Sequence, residues 1–177
     1  KRLENLEKLL REEKQKPKVL PQYANNHIHT FYSFSPYSPT AAVYMARAYG
    51  LETAGIMDHD SIGGADEFRC AGKIAGIGTT SGMECRSVFS NTSLCSIKIN
   101  NPDQDGIAYM AIHSVPANAF DILQKEFEPL RHKRNVRNRK MTDKINSLVN
   151  PFGIELDFDR DIMPLSEKQK ALLCDYN

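Results

Sequence analysis

The sequence predicts an α/β protein built around a largely parallel sheet, and three observations carry that prediction. Short apolar runs of strand length, at 53–57, 77–86 and 107–112, alternate with segments of helical spacing. Proline and glycine punctuate the joins, at Pro17, Pro21, Gly50, Pro116, Pro151 and Gly153. Histidines and acids follow the apolar runs, as His27 and His29, Asp58-His59-Asp60, Glu84 and His113. In parallel α/β sheets that edge is where ligands bind.

Each element has a local reason. Leu3, Leu6, Leu9 and Leu10 recur among charges in residues 1–16, which is the spacing of a helix, and Pro17 and Pro21 end it. Tyr23 to Thr30 reads as a strand entering a loop. Ser38-Pro39-Thr40 is a helix start, because Ser38 can cap with its hydroxyl and Pro39 loses no needed N–H at the first position. Gly50 suits the stop of that helix. Thr53 to Met57 then forms a strand leading straight into Asp58-His59-Asp60.

Residues 64–75 read as a helix and Ile77 to Arg86 as a strand carrying Glu84. Residues 90–106 hold Asn91, Asn100, Asn101, Pro102 and Gly106, a loop or hairpin insertion. Ile107 to Ile112 is a further strand that delivers His113. After Pro116 the pattern is helical almost to Val149, with an interruption at Pro129. Asn150-Pro151-Phe152-Gly153 breaks it, and Pro164-Leu165-Ser166 opens a last helix.

Composition narrows the class. The 177 residues carry 23 Lys and Arg against 22 Asp and Glu, so neither a globally basic nucleic-acid binder nor an acidic disordered tail is expected. No apolar run approaches the ~18 residues of a membrane span. Cys70, Cys85, Cys95 and Cys174 are widely spaced and form no C-x-x-C pair, which points to reduced thiols and a cytoplasmic location.

His27 and His29 are two apart, so on a strand both imidazoles face the same way and suit a borderline divalent ion. Taken alone the pair could equally be two ordinary loop histidines. In Asp58-His59-Asp60 a flanking carboxylate can hold the His59 ring in one tautomer, although the triplet could also merely cap the next helix. Glu84 is either a solvated surface acid or a carboxylate able to bridge two metal ions. Together, residues of ligand type stand at four strand ends, which favours a metal centre.

The order His27-x-His29-Thr30, then Asp58-His59-Asp60-Ser61, then Gly82-x-Glu84, resembles the PHP family, named for polymerase and histidinol phosphatase. The resemblance is best from about Tyr23 to Arg86 and looser from Ile107 to Leu148. It implies a distorted TIM-like (β/α)7 barrel that hydrolyses phosphoesters with two or three divalent ions, zinc, manganese or iron. By position, His27 and His29 would hold the first ion and Glu84 would bridge it to the second. His113 would be a ligand of the second ion and His59 of the third. Asp58 and His59 are the candidate catalytic pair, with an aspartate orienting His59 or shuttling a proton. The segment after His29, Phe31-Tyr32-Ser33-Phe34-Ser35, offers no further ligand, and no histidine follows His132. A barrel of this type needs roughly 250 residues, so the chain is expected to be the N-terminal part of a longer one. In that division residues 1–20 are a helix and linker, 21–115 the first part of the barrel, and 116–177 a mostly helical continuation.

Residues 131–140 contain six Lys or Arg. On a helix, Arg134 and Arg137 could fork onto a substrate phosphate, or the run could simply face water. The expected partner is therefore a small phosphorylated metabolite or nucleotide, with neither nucleic acid nor membrane. The rival readings are a PHP-type module with a degenerate metal site, serving as a structural or interaction domain, and an amidohydrolase-like enzyme, which would normally add a metal-bridging lysine.

Overall fold

Leucines on one stripe and a capped, proline-started second helix suffice to explain why the first half of the chain packs as it does. The structure, a computed structural model, describes residues 1–20 and 22–165; Pro21, Ser166 and Cys174 lie outside them. Helix α1 (Arg2–Glu12) buries Leu6 and half-buries Leu3 and Leu10 against the core. Two ion pairs hold it in place. Arg2 donates to Glu67 at 2.5 Å, and Arg47 makes a two-pronged contact with Glu13 at 2.8 and 2.6 Å. Strand β1 (Ala24–Ile28) follows, then α2 (Pro39–Ala48).

Helix α2 starts where its sequence says. The Ser38 hydroxyl accepts a hydrogen bond from the Ala41 N–H at 3.1 Å, and Pro39 occupies the first turn. Gly50, at φ +77°, takes the left-handed turn beyond its C-terminus. Ser38→Ala is expected to lower stability by about 1 kcal/mol, the usual loss for such a cap. A chemical denaturation curve checks this, and an unchanged midpoint would mean that the cap is redundant with Pro39.

Strand β2 (Thr53–His59), helix α3 (Ala65–Ala75) and strand β3 (Gly78–Val88) complete two parallel crossovers. Alternation along β2 turns Ala54 and Ile56 toward the helices, where they join Val43, Ala46, Phe68 and Ala71 in the core. The same alternation sends His59, paired across to Glu84, to the opposite face.

Strand β4 (Ile107–Ile112) departs from the parallel pattern of the first three strands. It pairs antiparallel to β3, with Met83 opposite Ile112 and Val88 opposite Ile107. The stretch before it returns the chain as a long hairpin connection, so no helical crossover is needed. Gly82 permits the close approach: a Cβ there would lie 2.5 Å from the Ile112 carbonyl oxygen. Among the described residues the sheet is four-stranded, ordered β1-β2-β3-β4. The fold is thus mixed α/β, with three parallel strands and one antiparallel edge.

Helices α4 (Phe120–Glu126) and α5 (Glu128–Val149) come next. Their junction falls at Phe127, with Pro129 inside the first turn of α5, where a missing N–H is harmless. Asn150–Phe152 forms a short 3-10 turn stopped by Gly153 at φ +75°, and Phe158–Ile162 a π-helical turn. That last turn clasps α5: Arg139 bonds Asp159 and lies 4.7 Å over the Phe158 ring. Among the described residues no helix is long and apolar enough to cross a membrane.

Candidate metal centre

The site is assembled by the ends of β1 and β2 and by Glu84, which lies inside β3, four residues before its end. Ile28 pairs with Ile56 on the helix side, which leaves His27 and His29 on the other face. His59 ends β2 directly opposite Glu84 on β3. The four side chains meet at one carboxylate oxygen. Glu84 Oε2 lies 3.0 Å from His27 Nε2, 3.7 Å from His59 Nδ1 and 3.9 Å from His29 Nε2. The His29 and His59 rings stack with centroids 4.9 Å apart, and the His27 and His29 centroids are 5.0 Å apart.

His27, His29 and Glu84 each offer one ligand atom, all within 4.8 Å of one another. Two imidazoles and a carboxylate are a donor set that zinc, manganese or iron accepts, so these residues fit a divalent ion. Burial holds the His29 ring below the usual histidine pKa, helped by the neighbouring His59 and His27 and opposed by Asp58 and Glu84. The folded ring therefore resists a proton that the unfolded chain accepts. Folding loses stability as pH falls through the ordinary value of 6.5, and gains nothing above it. Denaturation midpoints of metal-free protein between pH 7 and pH 5 are expected to fall, with a shallower slope in His29→Ala. An equal slope in that variant would place the titration elsewhere.

The two aspartates around His59 do different things. Asp58 faces the helix side and is completely buried. It accepts from the Thr30 N–H and Thr30 hydroxyl, both at 2.6 Å, and from the Ser33 hydroxyl at 2.8 Å. Its carboxylate thus pins the loop that follows β1. Asp60 lies just past the strand at φ +45°, a conformation aspartate tolerates better than most residues. Its N–H donates to the Glu84 carbonyl at 2.9 Å, and its carboxylate accepts from Arg134 of α5. The other Asp60 carboxylate oxygen is buried with no hydrogen-bond partner.

Arg134 consequently ties α5 to the site while remaining partly exposed. It lines a recess of about 480 Å³ with Ser33, Phe34, His59, Glu84 and Tyr109. A second recess of about 590 Å³ adjoins it through Tyr109 and Arg134, and adds Arg86, Lys133 and Arg137. His113 follows β4 and is exposed; it lies outside the group formed by His27, His29 and Glu84. Strand β4 ends at Ile112 opposite Met83, the neighbour of Glu84, so His113 leaves the strand beside the level of the site.

Sequence reasoning missed Phe34, Tyr109 and the Thr30–Ser33 grip on Asp58. Tyr109 pairs with Arg86, two residues from Glu84, so the antiparallel register would have placed it on the site face. Phe34 gave no signal beyond the lack of a ligand there. Cys85 lies beside Glu84, but burial pushes its thiol up to about 11, aided by Asp60 and Glu84, so it stays protonated and inert.

No family model matches the chain. One curated relative, a 5'-3' exoribonuclease from Haemophilus influenzae, is 32% identical over 74 residues, which is 42% of this chain and 27% of that protein. The chain therefore spans about a quarter of that relative's length. Among solved structures, a chain from Bifidobacterium adolescentis provisionally named a metal-dependent phosphoesterase superposes with a TM-score of 0.56 at 24% identity, covering 73% of this chain and 40% of that one. An amidohydrolase from Chromobacterium violaceum, with bound sulfate and no metal, superposes at 0.54 with 20% identity, covering 77% and 41%. The fold is thus shared with parts of one protein named a metal-dependent phosphoesterase and one named an amidohydrolase.

Proposed function

We propose that the protein is a metal-dependent phosphoesterase of the PHP type, acting on a small phosphorylated metabolite or nucleotide. The observation that carries this is the convergence of His27, His29 and His59 on one oxygen of Glu84, beside a recess bearing Arg134. In this reading the (β/α)7 barrel extends the four strands described. A divalent ion held by His27, His29 and Glu84 would supply the positive charge that a phosphoester's anionic oxygens need. Arg134, already fixed by Asp60, would fork onto the same oxygens from the other side of the recess. His59, half-buried between Glu84 and the recess, would give a proton to the leaving oxygen. Asp58 acts by positioning the loop. A role for His113 at a second ion rests on the resemblance alone.

A phosphodiester at the end of an RNA strand is the second reading. It is favoured by Arg86, Lys133 and Arg137 in the adjoining recess and by the name of the Haemophilus relative. Loaded with manganese or zinc, the full-length protein is expected to bind at least two ions and to cleave an aryl phosphate. Release of mononucleotides from single-stranded RNA would select the second reading. Fewer than one ion bound per chain would leave only the non-enzymatic module.

A further inference from the structure

Phe34 is the side chain at the site that metal and phosphate chemistry do not call for. It belongs to the loop pinned by Asp58 and is 69% exposed. Its ring nevertheless lies 4.4 Å from that of His29 and 5.4 Å from that of His59. One face is thus occupied by the imidazoles while much of the ring remains open toward the recess. Tyr109, also exposed, meets the same His59 ring at 6.0 Å from β4, and the Arg86 guanidinium lies 5.9 Å from its centroid. The recess therefore combines two accessible aromatic rings with a guanidinium and the His/Glu group. An aliphatic phosphoester would use the charged groups and leave both rings in water. A phosphoester that also carries a planar ring would use everything present.

We propose that Phe34 and Tyr109 form an aromatic stacking site for the base of a nucleoside phosphate whose phosphate lies toward Arg134 and the His/Glu cluster. The proposal deepens the phosphoesterase reading and rests on it for the direction of the phosphate. Base–aromatic stacking is tolerant of base identity, because every base has a π-face. The site should therefore demand a base without selecting strongly among bases. Phe34 is a binding residue in this scheme and takes no part in bond cleavage.

The test compares uridine 5′-monophosphate with ribose 5-phosphate, which share the phosphate and differ by the base. Binding of each to metal-free protein is measured by calorimetry or ligand-observed NMR, for the native sequence, Phe34→Leu and Phe34→Tyr. The native protein is expected to prefer the nucleotide about tenfold or more, the range one stacked base gives. Phe34→Leu should bring that ratio close to one, and Phe34→Tyr should restore it. No preference in the native protein, or a ratio unchanged in Phe34→Leu, would overturn the proposal. Turnover with manganese separates the two layers. Hydrolysis of both compounds without discrimination would discard the stacking site and keep the esterase, whereas discrimination in binding without any hydrolysis would do the reverse.

Discussion

Replacing Glu84 with glutamine is expected to remove metal uptake and turnover together while leaving the fold intact. The substitution keeps the shape of the side chain and deletes its charge. Glu84 Oε2 is the point that His27, His29 and His59 all approach within 4 Å. An uncharged amide there would leave imidazoles as the remaining donors, and its NH2 group can turn toward the ion's place. Loss of even a group outside the coordination sphere commonly lowers metal affinity 10–100-fold, so loss of the ligand itself should exceed that. Metal content after manganese or zinc loading, and kcat/KM on an aryl phosphate, would both drop to background. The thermal midpoint of metal-free protein should shift little, because the Glu84 carbonyl still accepts from Asp60 and the strand pairing is unaffected. Retained activity in Glu84→Gln would take Glu84 out of the metal centre.

Such a prediction could be framed largely from sequence, since rare residue types at the ends of short apolar runs are a local signal. The start of α2 was equally legible, because Ser38, Pro39 and Gly50 each act on their own backbone. What sequence could not carry was direction. Ile107 to Ile112 is a strand in either orientation, and the irregular stretch before it can return the chain alongside β3 or over the sheet. Only the pairing of Met83 with Ile112 decides, and with it the position of His113. The division of labour between Asp58 and Asp60 was hidden for a related reason. A period of two separates Asp58 from His59, but using it requires knowing that β2 runs to His59 and ends there. Aromatic neighbours were the least legible. Phe34 and Tyr109 are far apart in sequence, and only the fold brings both against His59.

Asp58→Ala is expected to have the largest effect on stability, about 3–5 kcal/mol. The aspartate is fully buried, as is Thr30, and three donors depend on its two oxygens. Each buried donor left without a partner typically costs ~1–3 kcal/mol, and the Thr30 N–H has no freedom to turn away. Asp58→Asn should be milder, since one oxygen remains and the two hydroxyls can rotate to accept from the new amide. The functional consequence follows from what the loop carries. Ser33, one of the three donors, also lies 3.3 Å from His29 Nδ1, and Phe34 is the next residue. Releasing the loop therefore loosens His29 and should weaken metal binding, although Asp58 lies on the opposite face of β2 from the ligands. Urea denaturation and metal titration of both variants measure the two effects, and in the positioning role they decline together. A variant of normal stability and normal metal affinity that fails only in turnover would instead return Asp58 to the proton-transfer role that its place beside His59 in the sequence suggests.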